Sequence, residues 1–150
     1  MTEFDDEIER WRLHGPDIVP QYCPVDPQDI EDLRKIALVP QGLSDFWLAR
    51  GSGQFNTDSK GRSVSVWLTN VLLDPSEITD LILNTAGVVE HLLPHGLPFF
   101  NMFDLEFMVV STDGKVAEVN PDDTVTVMAG SICEFIERLV EWPIFHEPLR

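Results

Sequence analysis

Between residues 97 and 128 this chain packs short apolar segments so closely that only one kind of sheet can hold them. Leu97 to Phe100, Leu105 to Val110, Lys115 to Val119 and Thr124 to Met128 are rich in β-branched and aromatic residues, and each reads as a strand. Parallel neighbours would need a crossover of about a dozen residues or more between them. The connections here are far shorter. Asp113-Gly114 is a strong hairpin signal, and Asn120-Pro121-Asp122-Asp123 is a second turn. The segments must pair antiparallel, as a meander.

Helical signals surround this core. Phe4, Ile8 and Trp11 fall at helical spacing in a segment that His14-Gly15-Pro16 ends. Residues 16–24 hold three prolines and predict an extended surface run. Asp26 then caps a helix with Pro27 at its first position and Ile30, Leu33, Ile36 and Ala37 on one face. A shorter helix, Leu43 to Ala49, carries Phe46, Trp47 and Leu48, and Gly51-Ser52-Gly53 reads as its C-cap and a tight turn. After the polar loop 56–61, Ser63 to Trp67 and Asn70 to Leu73 predict strands. Asp74-Pro75-Ser76-Glu77 starts a helix twice over, as a capping box with proline at the first position, and its apolar stripe runs to Pro94 with an interruption expected at Gly87. Ser131-Ile132-Cys133-Glu134 is a second capping box, opening a last helix with Phe135, Ile136, Leu139 and Val140 on its buried face. The expected fold class is α+β: an antiparallel meander with helices at both ends packed on one face. Its 150 residues make one domain, with 1–25 an N-terminal extension and 26–142 the core.

Charge narrows the function. There are 26 acidic against 10 basic residues, a net charge of -16. Phosphate backbones and anionic membrane surfaces are repelled by such a chain, so nucleic acid and membrane are excluded as expected partners. A basic protein is attracted and steered. No apolar run approaches the roughly 20 residues of a membrane span. The acidic start, Met1 to Glu7, does not resemble a secretory signal, and Cys23 and Cys133 form no paired motif. The expected location is cytoplasmic.

Catalytic chemistry finds little footing. His91 and His95 have the spacing of a helical metal pair, but Pro94 stands between them and no glutamate accompanies them. They read as histidines near a helix C-terminus. Gly51-Ser52-Gly53 lacks the lysine and the strand-loop-helix setting of a phosphate loop. Ser131 is not in a nucleophile elbow, and Cys133 has no neighbouring histidine in sequence. No catalytic residue, metal or cofactor is expected. Recognition is instead placed on the carboxylates of the meander and its turns, Asp104, Glu106, Glu118, Asp122 and Asp123, with Asp104, Glu106 and Glu118 expected to project from the side the helices leave open.

Two stretches carry a family resemblance. The first runs from Leu38-Val39-Pro40 through Leu43-Ser44-Asp45-Phe46-Trp47-Leu48 to Gly51-Ser52-Gly53-Gln54-Phe55. The second joins Leu97-Pro98-Phe99-Phe100, Phe107-Met108-Val109-Val110, Asp113-Gly114-Lys115-Val116 and Ala129-Gly130-Ser131 with Phe135, Ile136 and Leu139. In order and spacing they resemble the SUKH superfamily, the Smi/Knr-like domains of bacterial immunity proteins and some fungal regulators. Met102-Phe103-Asp104-Leu105 departs from it in having no glycine, and the GAD-like immunity domains share a similar tryptophan-bearing short helix and glycine turn. The resemblance implies an immunity-type protein that sits on a cognate toxin and blocks it without cofactor or chemistry. The alternatives are a regulatory or scaffolding module and an uncharacterised hydrolase drawing on His91, His95, Cys133 and the carboxylates.

Overall fold

The computed structural model describes residues 3–15, 17–64, 68–104 and 106–142. In chain order these form α1 (Glu3–His14), β1 (Gln21–Cys23), α2 (Pro27–Arg34), α3 (Gln41–Ala49), β2 (Ser52–Gln54), β3 (Val71–Leu72), α4 (Pro75–Asn84), α5 (Ala86–Val89), β4 (Leu97–Phe103), β5 (Glu106–Val110), β6 (Val116–Val119), β7 (Val125–Ala129) and α6 (Ile132–Glu141). All seven strands lie in one antiparallel sheet in sequence order. The fold is α+β, with the meander where the turn signals put it.

The caps form as the sequence dictates. Asp26 accepts from the Gln28 N–H, and Asp74 and Glu77 complete a capping box at α4. At α6 the Ser131 hydroxyl accepts from the Glu134 N–H at 3.1 Å. The glutamate reaches one residue further back than a capping box would, taking the Gly130 N–H at 2.8 Å. The helix after Asp74 breaks earlier than Gly87, at Thr85, whose backbone leaves the helical region (φ -135°, ψ 40°) while its hydroxyl and N–H both bond the Leu81 carbonyl, and α5 then starts afresh.

Two strands escaped the sequence reading. Ser52–Gln54 is β2, and part of the extended run before residue 26 is β1. Both are short and polar, so no alternation announces them. Gly51 does end α3, with φ of 103°, but its larger role is clearance. A Cβ there would stand 2.0 Å from the Cys23 carbonyl oxygen, and one on Gly53 would stand 2.5 Å from that of Gln21. Only glycine lets β1 approach this closely. Of the predicted strand Ser63 to Trp67, Ser63 forms an isolated bridge with Thr57, while residues 65–67 lie outside the described residues. Leu105 and the side chain of Phe4 do so too.

Cover is not confined to one face of the sheet. Tyr22, Gly53, Leu72, Phe100, Met108, Glu118 and Thr126 stand opposite one another from strand to strand and so share a face. Phe46 of α3 packs on Tyr22, and Phe135 of α6 meets Phe100 edge-on with ring centres 4.9 Å apart. On the other face, Leu81 of α4 lines a cavity with Asn101 and Phe107. Leu97 to Phe100 and Phe107 to Val110 are accordingly buried without a break. That is why they read as continuous apolar runs rather than alternating ones. A second cluster joins Ile8 and Trp11 of α1 to Leu68 and Trp142, with the two indoles edge-on at 5.9 Å.

Three substitutions test this account. Gly51→Ala should destabilise by roughly 3 kcal/mol, from a left-handed backbone and a backbone clash together. Gly87→Ala, whose Cβ meets nothing within 4 Å, should stabilise by about 0.4–1 kcal/mol. Ser131→Ala should cost about 0.5–2 kcal/mol through the lost cap. Urea unfolding of the three variants beside wild type checks all three values.

Candidate functional site

An antiparallel meander sends alternate turns to opposite ends of the sheet. The β4–β5 and β6–β7 turns therefore share one end, and the β5–β6 turn takes the other. This places Asp104 and Glu106 at the same end as Asp122 and Asp123, with Glu118 two residues from the second turn. Asp104, Glu106, Asp122 and Asp123 are exposed and Glu118 is half-buried. A groove of about 300 Å³ runs between the turns, lined by Glu106, Glu118 and Asp123 with His91, Met102 and Pro121.

The side-chain directions differ from expectation in one respect. Glu118 shares the face of fully buried Met108, on which α6 also packs. The middle strands have no helix-free face from which it could project. What exposes these carboxylates is their place at the sheet's end.

The last two hairpins of the meander have the same backbone and opposite chemistry. In the β5–β6 loop the Gly114 N–H donates to the Ser111 carbonyl and the Ser111 N–H to that of Lys115. In the β6–β7 loop the Asp123 N–H donates to the Asn120 carbonyl and the Asn120 N–H to that of Thr124. The left-handed position belongs to Gly114 in the first, at φ of 88°, and to Asp123 in the second, at φ of 69°. Asp104, in the neighbouring turn, is left-handed as well, at 49°. Aspartate tolerates this region better than most residues, but glycine occupies it freely. Both turns keep a carboxylate where folding alone would favour glycine.

The carboxylates differ in their partners. Asp122 accepts from the Thr124 hydroxyl at 2.6 Å and its N–H at 3.1 Å. These bonds favour the charged form and hold its pKa below the ordinary aspartate value, the hydroxyl contributing most. Asp123 meets His95 Nε2 at 2.9 Å. Asp104, Glu106 and Glu118 form no ion pair among the described residues, whereas Asp58 and Asp113 are paired with Arg62 and Lys115.

His91 and His95 do not form a helical pair. The last helical residue before them is Val89, so His91 is exposed at the groove while His95 turns to Asp123. Among the described residues no three histidines, cysteines or carboxylates converge closely enough to hold a metal ion. Cys23 and Cys133 are free and exposed. Among the described residues no helix is long and apolar enough to cross a membrane. The sequence reading missed His95 as a partner of Asp123, since 28 residues separate them and only the fold brings them together. Compared with known protein families, curated proteins and solved structures, the chain finds no match.

The Asp122 contact can be followed directly. Thr124→Val removes the hydroxyl and should raise the Asp122 pKa toward the ordinary value of about 3.9. Because the folded pKa is depressed, the bond stabilises the wild type above that value and is lost as pH falls through the lower folded pKa. Carboxyl-carbon NMR of both proteins between neutral and acid pH should show Asp122 titrating at higher pH in the variant.

Proposed function

We propose that this chain is an immunity-type binding protein of the SUKH kind, acting in the cytoplasm, which neutralises a basic protein toxin by direct contact and without chemistry of its own. The observation that carries this reading is the gathering of Asp104, Glu106, Glu118, Asp122 and Asp123 at one end of the sheet. Two of them hold left-handed backbone positions that glycine would fill more easily. Both keep their charge exposed to a partner at these turns.

With a net charge of -16 behind it, such a surface attracts a cationic partner over long range. A toxin that binds phosphate backbones is itself basic, and a cluster of carboxylates presents it with a similar field. Contacts of this kind act mainly on the association rate and weaken as salt screens them.

The test is affinity capture from the source cells, followed by binding kinetics with the captured protein. Wild type should retain a stoichiometric basic protein that salt releases. The variant carrying Asp104→Asn, Glu106→Gln, Glu118→Gln, Asp122→Asn and Asp123→Asn should associate roughly tenfold more slowly at low ionic strength, with a flatter salt dependence. Asp123→Gly should fold at least as stably as wild type yet bind more slowly. Equal rates for wild type and the fivefold variant would remove the acidic end as the binding surface.

A further inference from the structure

The edge of the sheet beside the acidic turn has an unusual composition. β7 is the last strand, and among the described residues it has a neighbour on one side only, β6. Its five residues, Val125-Thr126-Val127-Met128-Ala129, include no charge and no proline, the usual guards of an open edge. Arg138 of α6 donates to the Met128 carbonyl, so the open stretch is Val125 to Val127. Val125 and Val127 are 45% and 56% exposed.

Their backbone direction follows from the hairpin. The Asn120 N–H donates to the Thr124 carbonyl at 2.7 Å, so these two form a bonded pair, and the register continues Val119 to Val125 and Glu118 to Thr126. Bonded and unbonded pairs alternate along an antiparallel ladder. Thr124 thus spends its C=O on Asn120 and its N–H on Asp122, while Thr126 turns both its backbone groups to β6. Val125 and Val127 turn theirs outward, and their side chains lie together on one face.

We infer that β7 docks an extended basic segment of the partner protein, added to the sheet as a further strand. The inference rests on the reading of a basic partner given above and specifies how it is held. Alternate residues of such a segment lie beside Val125 and Val127, and these are apolar. Those between them lie on the face of Thr126 and Glu118, next to Asp122 and Asp123 at the turn, and these are Lys or Arg. Backbone bonds give the affinity and the alternation gives the choice. A second copy of the chain fits the edge less well, because it brings another net charge of -16 with it.

The probe is a short, end-blocked peptide of alternating lysine and valine, titrated into the full chain and followed by NMR with amide hydrogen exchange. The amides of Val125 and Val127 should gain protection. Val127→Pro removes an N–H that β6 does not use, so the sheet is kept, and affinity should fall about tenfold or more. A lysine-proline peptide of equal charge, unable to pair as a strand, should bind as weakly to wild type, which keeps the test sound if the variant fails to fold. Equal binding of the two peptides, or bound peptide without protection at Val125 and Val127, overturns the dock on β7 and leaves the acidic surface to the capture experiment. Absence of binding overturns it as well. So does a dimer in sedimentation whose β7 amides are already protected, since that gives the edge to a second copy.

Discussion

Phe100 and Met108 face each other across the β4–β5 ladder, both wholly buried, and Phe135 of α6 meets the Phe100 ring edge-on. Removing each such side chain from water is worth about 1.5–3 kcal/mol, and the edge-on geometry adds about 0.5–1.5 kcal/mol. The same phenylalanine ring touches Phe55, which in turn meets Tyr22 of β1. One column of aromatics therefore ties the N-terminal edge of the sheet to the C-terminal helix. Because β4 and β5 are apolar on both faces, the sheet is stable only if helices cover both, and the placement of α3, α4 and α6 follows from that demand.

The sequence is legible where a feature needs a particular residue type. Asp26, Asp74 and Ser131 cap helices because only a short polar side chain can do so. Asp113-Gly114 turns a hairpin because its second residue is left-handed, and the meander follows from the turns. Where the determinant is distant, the reading fails. β1 and β2 are held by glycines that let Gln21 and Cys23 come close, a requirement that exists only once the strands are paired. Alternation could not reveal that both faces are covered, since a doubly buried strand and a short buried helix share the same apolar run. The five carboxylates were legible as candidates, whereas their convergence at one end required the topology, and the His95 contact to Asp123 required the whole fold.

The two hairpin loops show how one backbone can serve two ends. Both loops hold an aspartate that bonds ahead to the strand: Asp113 to the Lys115 N–H at 3.4 Å and Asp122 to the Thr124 N–H at 3.1 Å. The difference lies in the next position and its neighbour. Gly114 and Lys115 relieve the turn and offset the charge, while Asp123 and Thr124 do neither. The second choice gives up the ease of glycine and gains a side chain that can reach His95. The Asp123 carboxylate meets His95 Nε2 at 2.9 Å, a partner that the fold brings in from 28 residues away.

The two edges of the sheet are handled just as differently. β1 spans only three residues, packs its tyrosine inward, and is followed by Pro24. β7 has five residues, exposed valines and outward backbone groups. Its register slip opposite Val116 and Ala117 lies at the far end of the strand, leaving Val125 to Val127 regular. An uncharged, regular edge invites pairing with any extended chain. In a protein with 26 acidic and 10 basic residues, the surrounding field disfavours the approach of acidic chains and favours that of basic ones. Under the proposed strand addition the open edge and the excess of negative charge act together: the edge supplies unspecific backbone affinity, and the charge selects what reaches it.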